Sequence, residues 1–106
     1  MPKYLFRASY IGEGVKGLLS EGGSKRREAV ERAAKGMGGK LESYYYAFGE
    51  DDVVGVIDLP DNVSATAFAL MINGSGMVKL KTTVLITPEE VDQAAKKRVD
   101  YRPPGR

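Results

Sequence analysis

Residues 40–59, KLESYYYAFGEDDVVGVIDL, contain the alternating pattern that decides the fold. In the first half, Tyr44 and Tyr46 fall on one side of an extended chain and Tyr45 falls on the other, because side chains in a strand alternate between faces. Turn-forming residues at 49–52 separate this segment from a second run that is rich in β-branched residues. The stretch therefore predicts an antiparallel hairpin.

The two strands of the hairpin are predicted at 40–48 and 53–59. Alternation places Leu41 and Ser43 on the same face as Tyr45. Pairing the two strands across the turn then assigns every residue of the second strand to one of the two faces, since cross-strand neighbours share a face.

The segments on either side of the hairpin complete the domain. Before the hairpin, the patterns predict a strand at 3–10, a short and weak helical turn at 11–19, and a helix that begins with Ser24 as its cap and ends at glycines 38–39. After the hairpin, they predict a helix that begins with Asp61 as its cap and ends at residues 73–74, and then a strand at 77–86. Thr87 and Glu90 form a capping box with Pro88 at the first helical position. This signature predicts a C-terminal helix at 88–98 and an extended tail at 99–106.

The element order β-α-β-β-α-β, followed by a terminal helix, predicts an α+β fold of the ferredoxin-like kind. A four-stranded antiparallel sheet would carry the two main helices on one face and leave the other face open. The length of 106 residues fits a single domain, residues 1–106. A domain of this size hides a smaller fraction of its surface than a larger domain does, so we expect a homodimer or higher homo-oligomer that forms through the open face.

Composition excludes several classes of function. The chain contains no histidine and no cysteine, which removes imidazole and thiolate catalysis and the commonest metal ligands, so we predict no metal site and no cofactor. A net charge of +2 is too small for the field that a nucleic-acid binder carries. No apolar run reaches the length of a membrane span and no export signal is found, so we expect a cytoplasmic protein that binds neither nucleic acid nor membrane.

The two faces of the predicted sheet differ in chemistry. The helix-covered face would contain Tyr4, Phe6, Ala8, Tyr44, Tyr46, Phe48, Val53, Gly55, Ile57, Val78, Leu80 and Val84. The open face would contain Leu5, Arg7, Ser9, Ser43, Tyr45, Ala47, Val54, Val56, Asp58, Lys79, Lys81 and Thr83. The first set is typical of a core, and the second is typical of an interface with a pocket.

A small anionic or carboxylate-bearing ligand is the chemistry that the polar part of the open face favours. The predicted ligand-binding residues are Arg7, Ser9, Tyr45, Asp58, Lys79, Lys81 and Thr83. The structural alternative is an interfacial salt-bridge network between Arg7 and Asp58, with solvated edge lysines that discourage aggregation. The acidic run at 50–52 is interpreted as a solvated turn, because it lacks the ligand spacing of a calcium loop.

Several short motifs together resemble the GYD domain family, a group of small uncharacterised proteins. The motifs are Pro2-Lys3-Tyr4-Leu5-Phe6, Gly38-Gly39-Lys40-Leu41, Phe48-Gly49-Glu50-Asp51-Asp52-Val53, Asp58-Leu59-Pro60-Asp61, Lys81-Thr82-Thr83 and Leu85-Ile86-Thr87-Pro88-Glu89-Glu90. The tyrosine of the family's naming turn is absent, since Asp51 stands at its position. The resemblance implies a dimeric α+β barrel with a small-ligand cleft, and it implies no established activity.

Three functions remain open. We favour a dimeric module that binds a small anionic or carboxylate ligand at a cleft formed with Arg7, Tyr45 and Lys81. The second is a cofactor-independent monooxygenase or isomerase of the dimeric α+β barrel type, with Tyr45 or Asp58 transferring protons, although histidine, the usual acid/base group, is missing. The third is a structural assembly protein whose sheet face is filled by the partner chain.

Overall fold

A computed structural model describes residues 1–47 and 49–106 and confirms the α+β, ferredoxin-like fold. The elements in chain order are β1 (Lys3–Tyr10), α1 (Glu13–Glu21), α2 (Gly23–Gly36), β2 (Lys40–Tyr46), β3 (Val53–Asp58), α3 (Asn62–Gly74), β4 (Val78–Leu85) and α4 (Pro88–Ala95). Phe48, which the sequence places in the core at the end of a strand, lies outside the described residues.

The four strands form one antiparallel sheet in the order β2-β3-β1-β4. β1 is central and pairs with β3 on one side and with β4 on the other, as the ferredoxin-like arrangement requires. Helices α2 and α3 cover one face of the sheet, and the opposite face remains open. The predicted separation into a covered face and an open face is therefore confirmed.

The core lies between the covered face and the two main helices. Tyr4, Phe6 and Ile57 are 3% exposed or less, and Ala34 of α2 and Phe68 of α3 pack into the same cluster. Small side chains such as alanine let a helix lie close to a sheet, which explains why Ala34 is fully buried. Val84, which was also predicted for the core, is 50% exposed because it lies in the edge strand.

One face assignment in β2 was wrong. The register shifts between Leu41 and Ser43, so that Leu41 pairs with Ile57 while Ser43 pairs with Val56. This bulge inserts one extra residue and turns Leu41 onto the covered face, where it packs against the core. Tyr45 and Ser43, which follow the bulge, keep the predicted open-face orientation.

The first two helices also differ from the prediction. The weak turn expected at 11–19 is a helix of 9 residues, α1, which is held by the backbone hydrogen bond from Ile11 N–H to Met77 C=O at 2.9 Å. Gly22, with φ 87°, makes the sharp turn from α1 directly into α2, so Gly22 and not Ser24 precedes the helix. Tertiary contact and glycine geometry thus override the local signals.

The two later helix starts were predicted correctly. The Asp61 carboxylate accepts a hydrogen bond from Ser64 N–H at 2.8 Å, and Thr87 and Glu90 make the reciprocal bonds of the capping box. α4 ends at Ala95 and not at 98, because it buries no residue that would stabilise a longer helix. None of the helices within the described residues is long and apolar enough to cross a membrane.

The C-terminal segment gives the chain an elongated outline. The radius of gyration is 17.0 Å, and the principal extents are 57 × 34 × 23 Å. A compact domain of this length has a radius of about 13 Å. β4 is paired along its length with β1, whereas α4 and the tail that follows it bury no residue, and Val91 of α4 is 55% exposed.

Candidate functional site

The open face of the sheet carries its cationic side chains in cross-strand rows. Arg7 in central strand β1 pairs with Lys81 of β4 on one side and with Val54 of β3 on the other. Val54 in turn pairs with Tyr45 of β2, so these four residues form one row across the sheet. Directly paired residues share a face with their Cβ atoms about 5 Å apart. Arg7 and Lys81 are therefore neighbours on the open face.

The next row adds a second lysine and a carboxylate. Ser9 pairs with Lys79, and the Ser9 hydroxyl donates to Asp51 Oδ1 at 3.3 Å. The same carboxylate oxygen lies 3.3 Å from Lys81 Nζ. We call Arg7, Lys79, Lys81 and Asp51 together the basic end of the open face.

The opposite end of the open face is electrically balanced. Lys3 Nζ lies 3.0 Å from Asp58 Oδ1 and 3.0 Å from Glu42 Oε2. The hydrogen bond to Asp58, followed by the one to Glu42, raises the pKa of the Lys3 ammonium above its ordinary value. Lys40 of β2 pairs with Asp58 on the other side of β3, so two lysines and two carboxylates lie here. We call Lys3, Lys40, Asp58 and Glu42 the neutral end, in which Lys3 bridges the two carboxylates. The buried Asp58 is therefore paired.

Within one chain, Arg7 and Asp58 do not form a salt bridge. Register places Lys3 opposite Asp58, and Arg7 lies four residues further along β1. At about 3.3 Å per residue that separation is roughly 13 Å, beyond the reach of an ion pair. Within the chain, the partner of Asp58 is Lys3.

The middle of the open face is mainly apolar. Leu5 pairs with Val56 on one side and with Thr83 on the other, and Val56 pairs with Ser43. Leu5 and Val56 are half-buried even though no helix covers them. Leu5 and Val56, together with Val54 of the adjacent row, form an apolar strip between the basic end and the neutral end.

The structure brings some of the predicted ligand residues together and separates others. Five of them lie in the two rows at the basic end, namely Arg7, Ser9, Tyr45, Lys79 and Lys81. Thr83 lies in the middle rows, and Asp58 belongs to the neutral end. A single site can therefore contain these five predicted residues without Asp58.

Asp51 and Asp52 are functional candidates that the sequence analysis missed. They were interpreted as parts of a solvated turn, but both are half-buried. Asp52 Oδ2 accepts a hydrogen bond from Tyr10 N–H at 2.9 Å, and Asp52 N–H donates to Ala8 C=O at 2.9 Å. The available signal was their position just before a buried strand, where a short acidic side chain can reach back to β1. The turn is therefore anchored to the sheet.

Comparison with known proteins gives one result. The family model described as GYD domain matches residues 4–95. No curated protein and no solved structure matches the chain. The matched region includes all four strands and all four helices except the first residue of β1. Since the match covers most of the sequence, the chain belongs to the GYD domain family.

Proposed function

We propose that this protein is a homodimeric binding module for a small anionic molecule, which binds at the basic end of the open face. The observation that carries the proposal is the uneven distribution of charge. Three cationic side chains lie in two adjacent rows there, with Asp51 as the carboxylate beside them. Within residues 1–47 and 49–106, Lys81 is the member of this trio that makes a salt bridge. Arg7 and Lys79 are available to a ligand.

The types of side chain suit a carboxylate or phosphate. Arg7 presents a planar fork of donors that can bind two oxygens of one anionic group, and lysines add point charges. Tyr45, which is 68% exposed, supplies a flat ring and a hydroxyl donor in the same row. A ligand with one anionic group and an apolar body would contact all three kinds of group.

A second copy of the chain is the partner that would turn the flat face into a cleft. The apolar strip of Leu5, Val54 and Val56 has no cover in the single chain, and small domains gain stability by burying such surface. The projecting C-terminal segment exposes Ile86 and Val91, which supports contact with another copy. Two facing sheets would also exclude water from the basic end and strengthen its charge interactions.

The enzymatic alternative has less support at this site. Asp58, one of the two proton-transfer candidates, is paired with Lys3 at the neutral end and is separated from Tyr45 by the apolar strip. Of the two candidates, Tyr45 is the one that lies in the rows of the basic end. The arrangement at the basic end therefore supports a binding function better than an enzymatic one.

Native mass spectrometry of the gently purified protein tests both parts of the proposal. We expect a dimer, and a retained small mass would identify the natural ligand. Calorimetric titration with citrate and with inorganic phosphate then tests the basic end directly. Lys81→Ala and Arg7→Ala should each weaken binding of these probes by about tenfold, the value of one charge-assisted hydrogen bond.

Lys35→Ala is the matched control, because Lys35 is an exposed lysine of α2 on the other side of the sheet. It should leave the affinity unchanged. A dimer that binds neither probe nor any retained mass would favour the assembly role and count against a binding module. Equal loss of affinity in Lys35→Ala and Lys81→Ala would show that only net charge matters.

A further inference from the structure

Three tyrosine hydroxyls meet on the covered face, on the opposite side of the sheet from the basic end. The Tyr44 hydroxyl oxygen lies 3.5 Å from that of Tyr10 and 3.5 Å from that of Tyr46. The rings of Tyr44 and Tyr46 stand edge to face with centroids 5.5 Å apart. Hydroxyl–hydroxyl hydrogen bonds are usually about 2.7–2.8 Å long. These long contacts leave the hydroxyls able to make stronger bonds to a further group.

A pocket of about 470 Å³ opens beside this cluster. Its walls are Tyr10, Val15, Leu18, Gly23, Tyr46, Ala47 and Asp52. Known small-molecule sites have volumes of about 300–1,000 Å³, with apolar walls and a few convergent polar groups. The side chains of Val15 and Leu18 come from α1, and the aromatic rings come from the sheet. The pocket thus has an apolar wall facing a polar one.

The polar wall is held in place by its surroundings. The Tyr46 hydroxyl donates to the Gly23 carbonyl at 3.1 Å. Gly23 packs so closely that a Cβ on it would stand 2.8 Å from Tyr46 Cε2. Burial is the main cause that raises the pKa of the Tyr44 and Tyr46 phenols, so both remain protonated at neutral pH. They are preorganised as neutral hydroxyl groups.

Charge at the pocket determines which kind of molecule fits. Asp52 lines the pocket and would repel an anionic ligand, and its carboxylate already accepts the Tyr10 N–H. The tyrosine hydroxyls can both donate and accept, which matches a ligand group that does the same. A hydroxyl on an aromatic ring has this property, and its ring would contact the apolar wall.

We propose that this pocket binds a small uncharged aromatic molecule that carries a hydroxyl group, with its ring against Val15 and Leu18 and its hydroxyl bonded to Tyr10 and Tyr46, the two members of the tyrosine cluster that line the pocket. The site is separate from the basic end in position and in ligand chemistry, so it does not depend on the anion-binding function. The proposal concerns binding and includes no reaction.

The test compares two probes that differ by one hydroxyl, 2-naphthol and naphthalene. Their binding to the full chain can be followed by the fluorescence of each probe. We expect 2-naphthol to bind more tightly than naphthalene. Tyr46→Phe keeps the ring and removes the hydroxyl, and it should weaken 2-naphthol by up to about tenfold while leaving naphthalene unchanged.

Tyr45→Phe is a closely matched control, since it removes the same atom from the adjacent residue on the open face. It should change neither affinity. Equal binding of the two probes, or an equal effect of Tyr45→Phe and Tyr46→Phe, would overturn the proposal.

A second variant guards against misfolding of Tyr46→Phe. Val15→Trp fills the pocket from α1, where Val15 is 43% exposed and contributes nothing to the core. It should abolish binding of both probes while leaving the far-UV circular dichroism spectrum and the urea midpoint of the protein unchanged. Undiminished binding of 2-naphthol to Val15→Trp would place the probe elsewhere and contradict the assignment.

Discussion

Three consecutive tyrosines of β2 occupy two different environments. Tyr44 and Tyr46 lie on the covered face, where their hydroxyls form a cluster with Tyr10, whereas Tyr45 between them points to the open face and is 68% exposed. The residue type is the same at all three positions, so the difference comes from strand alternation alone. The same type of side chain therefore joins a hydroxyl cluster beside the core on one face and lies exposed beside cationic residues on the other.

The same contrast extends along β3. Val53 and Ile57 on the covered face are 2% and 1% exposed, while Val54 and Val56 on the open face are half-buried without a helix above them. Side chains on the covered face must fit closely against the helices. Side chains on the open face of a single chain have no such partner to fit. Substitutions of neighbouring residues in one strand should therefore have very different consequences.

The largest effect is expected at Ile57. Ile57→Ala should lower the free energy of unfolding by about 2–5 kcal/mol, because it leaves a cavity among tightly packed side chains. Val56→Ala, one residue away on the open face, should cost about 1 kcal/mol or less at protein concentrations that keep the chain monomeric. Urea denaturation measured by circular dichroism gives both values.

The same pair of variants responds to dimerisation. If a second copy covers the open face, the cost of Val56→Ala should rise with protein concentration while that of Ile57→Ala should not. Equal costs for the two variants at low concentration would contradict the division into a packed face and an open one.

Gly55 provides the next largest contrast. A Cβ at this position would stand 2.5 Å from Phe6 Cζ and 2.5 Å from Ser43 O, so Gly55→Ala should destabilise the protein by about 1–3 kcal/mol through overpacking. Gly36→Ala is the control, because nothing lies within 4 Å of its added Cβ and alanine favours helix. That variant should gain about 0.5–1 kcal/mol. Two shifts of the same sign would rule out crowding at Gly55 as the cause.

Period-two alternation and helix caps were the parts of the fold that the sequence could predict. Both are local: Asp61 and Thr87 need only the next three residues to form their hydrogen bonds. The faces of Tyr44 and Tyr45 likewise follow from their neighbours in the chain. Local rules therefore predicted the element order, the covered face and most members of the basic end.

Long-range partnerships were the parts that the sequence could not predict. The bulge before Ser43 depends on how β2 fits β3, and it moved Leu41 to the covered face. Lys3 and Asp58 are 55 positions apart in the chain, and the register of β1 against β3 brings them together. Several registers are compatible with the same alternation, so the choice of ion pair needs the folded sheet.

The free energy of unfolding at alkaline pH should depend on Tyr44 of the covered face. Burial is the first cause that raises the Tyr44 pKa above the ordinary 10.0, so above about pH 10 the folded state retains a proton that the unfolded chain loses. The free energy of unfolding should therefore be unaffected between pH 7 and 9 and decline as the pH rises further. The slope from this group cannot exceed about 1.4 kcal/mol per pH unit, because the folded and unfolded states differ by at most one proton at Tyr44.

Tyr44→Phe isolates this contribution. The variant should show a shallower alkaline decline than the wild type in urea denaturation carried out at each pH, with the two curves parallel from pH 7 to 9. An unchanged slope would mean that the phenol is ionised as easily in the folded chain as in the unfolded one.

The smallest effect on stability is expected at the basic end. Lys79→Ala should change the free energy of unfolding by less than about 0.5 kcal/mol, since Lys79 is an exposed edge-strand residue and lies beside the like charge of Lys81. Lys81→Ala should cost slightly more, because it removes the partner 3.3 Å from Asp51, whose side chain is only 12% exposed. Thermal denaturation in low salt would resolve the two.

If both lysines can be removed without loss of stability and citrate binding falls, the charge at this end of the open face serves a ligand. A marked loss of stability in Lys79→Ala would instead show that the lysine supports the fold. The open face would then contribute to stability as the covered face does.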